Sequence, residues 1–200
     1  MKKTLIVLLL TITILPCFSQ YSLGVKGGIH YKKISDNVGV LNTDMILGYD
    51  LGFFGKFEKS EKFYLKSELL LSDQLYTIQI NKINRNSGFI TTTVLLGYNI
   101  LNGKLFKFSA FSGIEINFTL NTPGLYFAEI RSGPVLEYGK PVFLGVSFGT
   151  GFEVSRFTFD TRYSYGYALN PEHELYKNLR INNHYIKIST GWKFLNKIAY

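Results

Sequence analysis

The sequence predicts an all-β protein, a closed antiparallel up-and-down barrel of eight strands, and three observations support this. Eight stretches alternate apolar with polar or small residues, the period-two pattern of β-strands. The chain of 200 residues suits one domain, with 46% hydrophobic residues against 18% charged ones. Gly occurs 19 times and Cys once, which excludes a disulfide framework and a cysteine-based zinc site.

The first 19 residues have the pattern of a secretory signal peptide. Lys2 and Lys3 precede an apolar stretch at 5–15, and Cys17 and Ser19 supply small residues before a cleavage site. We expect residues 1–19 to be removed and residues 20–200 to form an outer-membrane β-barrel domain. In the alternative, a lipoprotein, Cys17 is acylated, but the proline directly before it fits that signal poorly. A basic exported protein is not expected to bind nucleic acid, because that partner lies in another compartment.

The alternation places each strand in order along the chain. The predicted strands are 21–32, 43–57, 62–76, 87–100, 104–118, 140–154, 156–168 and 182–195. Short turns are predicted at 58–61, 101–103 and 155–156, and long polar loops at 33–42, 77–86, 119–139 and 169–181. Short and long connections therefore lie at opposite ends of a meander. We expect the termini and the short turns to face the periplasm and the four long loops to lie outside the cell. A ten-stranded barrel is the alternative if part of 119–139 enters the wall.

The two side-chain phases of these strands differ in chemistry. One phase is apolar and rich in aromatic residues and carries no charge away from the strand ends, near one of which Asp73 lies. The opposite phase holds nearly all the strand charges and many of the glycines. From this phase the sequence predicts a lumen ionic network of Lys66, Glu68, Glu115, Glu153, Asp160, Arg162 and Lys187.

Two architectures produce this split between the phases. In a soluble sandwich or lipocalin-like barrel the apolar phase forms the core, whereas in an outer-membrane barrel it faces lipid. Glycine favours the second, because it relieves crowding inside a narrow barrel. Aromatic residues near strand ends, such as Tyr31, Phe63 and Trp192, match two interfacial girdles. A charge at the bilayer midplane costs roughly 2–4 kcal/mol, which explains the exclusion of charge from one phase.

Three stretches carry a family resemblance. Gly24 to Gly28, Lys66 to Ser72, and the glycine-rich strand, turn and Arg-Tyr strand of Phe143 to Tyr167 resemble the small outer-membrane β-barrel domain family that includes PorT-like proteins. The resemblance covers most of residues 20–195. It implies an eight-stranded barrel in the outer membrane of a Gram-negative cell and no fixed activity. The chain departs from many family members in that several residues separate the last strand from its terminal aromatic, Tyr200.

The expected function is that of an integral outer-membrane protein with a structural, partner-binding or secretion-accessory role. An eight-stranded barrel has room inside for side chains and little else, so the ionic network is expected to plug the lumen. The expected partners are outer-membrane lipid, lipopolysaccharide and a protein bound by the extracellular loops. Contact residues in the longest loop are predicted at Asn121, Tyr126, Phe127 and Arg131. No cofactor is expected.

A lipid-modifying enzyme and a narrow pore are the alternatives. Candidate catalytic residues are His30, Ser72 and Asp73, and near the last loop Glu172, His173, Glu174 and His184. His30 and His184 could approach each other where the last strand meets the first. No nucleophile motif surrounds a serine, so no catalytic residue is assigned. A candidate metal site consists of Glu172, His173, Glu174 and His184.

Overall fold

Eight antiparallel strands close into a barrel. The structure, a computed structural model, describes residues 20–36, 46–78, 83–103, 105–121, 142–169 and 181–198. The strands are β1 (Gln20–Asp36), β2 (Ile46–Glu58), β3 (Phe63–Ile78), β4 (Ile83–Asn102), β5 (Phe106–Asn121), β6 (Val142–Val154), β7 (Phe157–Ala168) and β8 (Ile181–Ile198). Each strand pairs with its neighbour in the chain, and β8 pairs with β1. The predicted fold class is confirmed, and closure with eight strands excludes the ten-stranded alternative. Within the described ranges, no helix is long and apolar enough to cross a membrane.

The two ends of the barrel differ in their connections. At one end, here the turn end, the connections are short, at 59–62, 103–105 and 155–156. The opposite end, here the loop end, carries the connections whose residues lie outside the described part of the chain. The predicted loop at 77–86 is wrong for most of its length, because β3 and β4 pair up to Ile78 and Ile83. Its polar composition was misleading, since the main chain makes the ladder hydrogen bonds whatever the side chains are.

The turn between β6 and β7 contains a strained residue. Ser155 has a φ of 54°, in the left-handed region that glycine adopts without steric cost. Replacing Ser155 with Gly is expected to raise the free energy of unfolding by up to about 1 kcal/mol. Urea titration of the refolded barrel measures this change, and a lower midpoint than that of the wild type would contradict it.

The outer wall of the barrel is apolar. Leu51 and Leu96 are 66% and 69% exposed, whereas Lys26 and Arg162, on the opposite phase, are 1% exposed. The apolar phase therefore points outward and the charged phase inward. The soluble alternative, in which the apolar phase forms the core, is wrong.

Aromatic side chains mark both ends of this wall. At the turn end, the rings of Phe63 and Tyr98 lie 5.1 Å apart and those of Trp192 and Phe194 lie 6.5 Å apart. At the loop end the exposed aromatic side chains are Tyr31, Tyr49, Phe118 and Tyr167. Two aromatic belts enclosing an apolar band are the pattern of a bilayer-spanning barrel.

Glycines inside the barrel make room for large rings on neighbouring strands. Tyr64 is paired with Gly97, and a Cβ added to Gly97 would lie 1.9 Å from the tyrosine ring. Phe54 lies against Gly24 in the same manner, at 2.4 Å from such a Cβ. The crowding that the interior glycines were predicted to relieve is therefore present.

Candidate functional site in the barrel lumen

Charged side chains occupy the lumen in three clusters. Successive side chains of a strand point alternately inward and outward, so every second residue contributes to the interior. The central cluster consists of Lys26, Lys66, Glu68, Asp160 and Arg162. The loop-side cluster consists of His30, Asp50, Ser72, Glu115 and Lys187. The turn-end cluster consists of Lys56, Glu58, Lys107, Glu153 and Lys193.

The central cluster crosses the lumen. Lys26 Nζ donates to Glu68 Oε1 at 2.6 Å and also to Asp160. Lys66 Nζ lies 2.7 Å from Asp160 Oδ2 and 3.2 Å from Glu68 Oε1. Arg162 donates to Glu68 Oε2 at 2.5 Å. Because β1, β3 and β7 are not neighbours in the sheet, these contacts join separate parts of the wall, and the five side chains are at most 6% exposed.

The loop-side cluster is organised around two carboxylates, of which Asp50 is the first. His30 Nδ1 and Lys187 Nζ each lie 3.2 Å from Asp50 Oδ2, and Ser72 donates to the other carboxylate oxygen. All four side chains are buried. Each oxygen of Asp50 therefore has at least one partner, as a buried charge requires.

Glu115 is the second carboxylate and accepts several neutral hydrogen bonds. Asn117 donates to its Oε1 at 3.0 Å, and Ser147 and Ser164 donate to its Oε2 at 3.2 and 3.1 Å. Arg162 of the central cluster lies 3.8 Å from the same oxygen. Glu115 thus connects the loop-side cluster to the central cluster.

Lys32 is buried between aromatic rings instead of carboxylates. Its Nζ lies 3.9 Å from the ring centre of Phe89, 4.9 Å from that of Tyr185 and 5.2 Å from that of Phe143. The side chain is 0% exposed, and Nζ makes no hydrogen bond within the part of the chain that the structure describes. Cation–π attraction to the three rings stabilises the ammonium in this position.

Replacing Lys32 with Met is expected to leave the free energy of unfolding unchanged or to raise it. Methionine keeps the length of the side chain and fills the space between the rings, while the cost of burying an ammonium without a carboxylate disappears. Urea titration measures the result. A loss of about 2 kcal/mol or more would show that the charge itself stabilises the barrel.

The turn-end cluster is more open to water. Glu58 lies 2.7 Å from Lys56 and 2.7 Å from Lys107, and Glu153 lies 2.7 Å from Lys56 and 3.1 Å from Lys193. The Lys107 side chain is 26% exposed. The Lys56 ammonium also lies 4.1 Å from the centre of the Tyr64 ring.

The seven residues of the predicted ionic network are distributed over all three clusters. Four of them meet in the central cluster, namely Lys66, Glu68, Asp160 and Arg162. Glu115 and Lys187 are in the loop-side cluster, and Glu153 is in the turn-end cluster, so the structure does not bring all seven together. The prediction omitted several inward residues that make ion pairs or ring contacts: Lys26, Lys32, Asp50, Lys56, Glu58, Lys107 and Lys193. Their position on the inward phase was the signal that could have included them.

The candidate catalytic residues do not form a serine–histidine pair. Ser72 and His30 both bond to Asp50, so a carboxylate lies between them. In a serine hydrolase the histidine contacts the serine directly and the acid lies behind it. Asp73 is on the outward phase, where its carboxylate accepts a hydrogen bond from Tyr49 at 2.8 Å.

The predicted approach of His30 and His184 is wrong. His30 is on the inward phase of β1 and is 1% exposed. His184 is on the outward phase of β8, where its Nδ1 is hydrogen-bonded to the Tyr163 hydroxyl at 2.6 Å and its ring contacts Tyr165. The two strands do pair, but the alternation directs the two imidazoles to opposite sides of the wall.

Other predicted features lie outside the described residues. They are the signal peptide with Cys17, the loop residues Tyr126, Phe127 and Arg131, the side chain of Asn121, and the metal candidates Glu172, His173 and Glu174. In the ranges that the structure does describe, no group of three or more His, Cys, Asp and Glu side chains is arranged to hold a metal ion.

The fold is shared with one solved bacterial surface protein, and two outer-membrane proteins resemble it less closely. Neisserial surface protein A has 12% identity and a TM-score of 0.51, with 87% of this chain and 99% of that chain covered. OprG, an outer membrane protein from Pseudomonas aeruginosa, has 10% identity and a TM-score of 0.46, and the match covers 88% of this chain and 97% of OprG. The outer membrane enzyme PagL has 10% identity and a TM-score of 0.45, and the match covers 81% of this chain and 97% of PagL.

Sequence comparison adds no family to this structural likeness. No protein-family model matches the chain, and no curated protein matches it. The resemblance to the PorT-like family therefore stays a prediction. At 12% identity, the likeness to Neisserial surface protein A establishes the eight-stranded outer-membrane barrel fold of this chain and leaves its role open.

Proposed function

We propose that this protein is an integral outer-membrane barrel with a closed lumen, acting in partner binding or as a structural or secretion-accessory component. Its apolar outer wall, two aromatic belts and shared fold with Neisserial surface protein A support insertion in the outer membrane. Export by a cleaved signal peptide at residues 1–19 is part of the same proposal. Lipid and lipopolysaccharide are then its immediate surroundings.

The proposal of a closed lumen rests on the central cluster. Lys26 of β1 pairs with Glu68 of β3 and Asp160 of β7, and Arg162 of β7 also pairs with Glu68. These ion pairs run across the interior, and their side chains are almost fully buried. An ion passing along the axis would have to break these pairs, which are costly to separate once desolvated. The lumen therefore stabilises the barrel and does not conduct.

A protein with a closed lumen acts through its surfaces. The loop end is the natural place for an external partner, because binding residues concentrate on loops held by a rigid scaffold. A lipid-modifying activity has less support, since a carboxylate separates Ser72 from His30 in the described lumen.

Two experiments test this proposal. Fractionation of cells expressing the full chain is expected to recover it in the outer membrane, and the purified barrel in planar bilayers is expected to give no steady conductance. Recovery in a soluble fraction without detergent would contradict the location. Reproducible single-channel conductance would contradict the closed lumen.

A narrow pore is the second candidate, and one polar path favours it. Hydrogen bonds link Ser72 to Thr91, Thr91 to Asn117, and Asn117 to Glu115, at 3.3, 2.6 and 3.0 Å. If this path conducts, conductance should change when Glu115, the carboxylate at its inner end, is replaced with Gln. The closed-lumen proposal expects no current from the wild type.

A further inference from the structure

A cavity of about 340 Å³ opens at the turn end of the barrel. Its lining includes residues of β1, β2, β5, β6 and β8, so the cavity lies on the barrel axis and not against the outer wall. Its volume is at the lower end of the ~300–1,000 Å³ range of ligand pockets, larger than a single small anion needs. The charged residues in the lining are Lys56, Glu58, Lys107, Glu153, Arg156 and Lys193.

The lining carries more positive than negative charge. Four cations face two carboxylates, which leaves an excess of two positive charges. Charges of one sign in a concave, partly buried site focus the field and attract ligands of the opposite sign. The cavity is thus suited to an anionic ligand.

The cavity already holds carboxylates in a defined way. Each oxygen of Glu153 contacts a different ammonium, that of Lys56 at 2.7 Å and that of Lys193 at 3.1 Å, and Glu58 bridges Lys56 and Lys107 at 2.7 Å each. An ammonium has three donors, so Lys107 and Lys193 can each bind a further acceptor.

Arg156 adds a second kind of donor at the edge of the cavity. It is exposed in the turn between β6 and β7, and among the described residues its guanidinium forms no ion pair. The guanidinium fork matches the two oxygens of a carboxylate. Its backbone carbonyl accepts a hydrogen bond from the Lys193 amide at 2.8 Å, which fixes the turn beside the cavity.

We propose that the turn-end cavity binds a carboxylate-bearing peptide segment, with Lys107, Lys193 and Arg156 donating hydrogen bonds to its carboxylates. The peptide approaches along the barrel axis from the periplasm, whereas the phosphates of lipid headgroups surround the outer wall. This inference adds a second binding surface, at the end opposite the loops, and it rests on the proposed outer-membrane location, which places the turn end in the periplasm.

Binding of a fluorescein-labelled tetraglutamate peptide to the purified barrel in zwitterionic detergent tests the proposal. Both peptides are amidated at the C-terminus. Fluorescence anisotropy is expected to show binding of tetraglutamate that weakens with salt, and no binding of the matching tetraglutamine peptide, which has no carboxylate. The double variant Lys107→Gln/Arg156→Gln is expected to bind at least about tenfold more weakly, since two charge-assisted contacts are lost. Arg156→Gln alone, which disrupts no described ion pair, is expected to weaken binding in the same direction.

A matched control removes two charges from the same end outside the cavity. Lys59 and Lys62 are exposed in the connection between β2 and β3 and are not part of the lining. The variant Lys59→Gln/Lys62→Gln is expected to change the affinity by less than about threefold, as for charges on a rim. An equal loss in both double variants would overturn the proposal in favour of a general charge effect.

One further outcome would also overturn it, the absence of tetraglutamate binding by the wild type. If phosphatidylglycerol added to the detergent then bound in a manner that requires Arg156, the ligand would be a lipid phosphate. Heat-modifiable migration and the need for detergent are measured separately for each variant, so a failure of the membrane location is distinguished from a failure of the cavity.

Discussion

Replacing Glu68 with Gln is expected to lower the free energy of unfolding of the barrel by about 3–5 kcal/mol. Glu68 is the hub of the central cluster, with contacts to Lys26, Lys66 and Arg162 at 2.6, 3.2 and 2.5 Å. Without its charge, Lys26 and Lys66 share Asp160 as their carboxylate, and Arg162 keeps only the more distant Glu115, at 3.8 Å. An incompletely compensated buried charge costs far more than a lost surface pair.

Replacing Glu153 with Gln provides the comparison for this prediction. Glu153 also contacts two lysines, but its side chain is 12% exposed and the cluster opens to water. The expected loss is roughly 1–2 kcal/mol, between the values of exposed and buried pairs. Urea titration of both refolded variants, read by heat-modifiable migration, measures the difference. Equal midpoints for the two variants would contradict the central position of Glu68.

Replacing Gly97 with Ala is expected to lower the free energy of unfolding by about 1–3 kcal/mol or more, because the added methyl group overlaps a ring. Its Cβ would lie 1.9 Å from Tyr64, whose hydroxyl is hydrogen-bonded to Ser109 at 3.0 Å. Since Tyr64 also lies beneath the Lys56 ammonium, the ring has little freedom to move away.

Two variants separate this overlap from a general effect of losing glycine. Gly27→Ala places a Cβ no closer than 3.5 Å to other atoms, so it is expected to be tolerated. The double variant Gly97→Ala/Tyr64→Ala is expected to lose less stability than the sum of the two single variants, because removal of the ring makes room for the methyl group. Additive losses would show that Gly97 and Tyr64 do not act as a pair.

The wall of this barrel is readable from sequence because strand alternation is a local property. The outward position of Leu96 and the inward position of Lys66 follow from the period-two alternation, which also identifies the phase that holds the charges. The ends of the strands were harder to predict from the sequence. Ile78 and Ile83, for example, pair within a polar stretch that was predicted to be a loop. Main-chain pairing beyond the apolar band leaves no signature in side-chain polarity.

The partners inside the lumen could not be predicted in the same way. The contact of Lys26 with Asp160 depends on the stagger of strands that are far apart in the chain, and alternation does not set that stagger. The sequence reasoning also missed the buried rings around Lys32, since an aromatic residue on the charged phase looks like an exception until the cross-section of the barrel is known. His30 and His184 show a third limit, because paired strands bring two residues together only when both are on the same side of the sheet.

The most direct test of the outward apolar wall is spin labelling of single cysteines, since residues 20–200 contain no native cysteine. A nitroxide on Leu96→Cys, in the apolar band between the two aromatic belts, is expected to collide with dissolved oxygen and to be protected from a water-soluble nickel complex. A nitroxide on Lys59→Cys in the turn is expected to give the reverse. Free access of the nickel complex to the Leu96 label in the bilayer-reconstituted protein would contradict a wall that faces lipid.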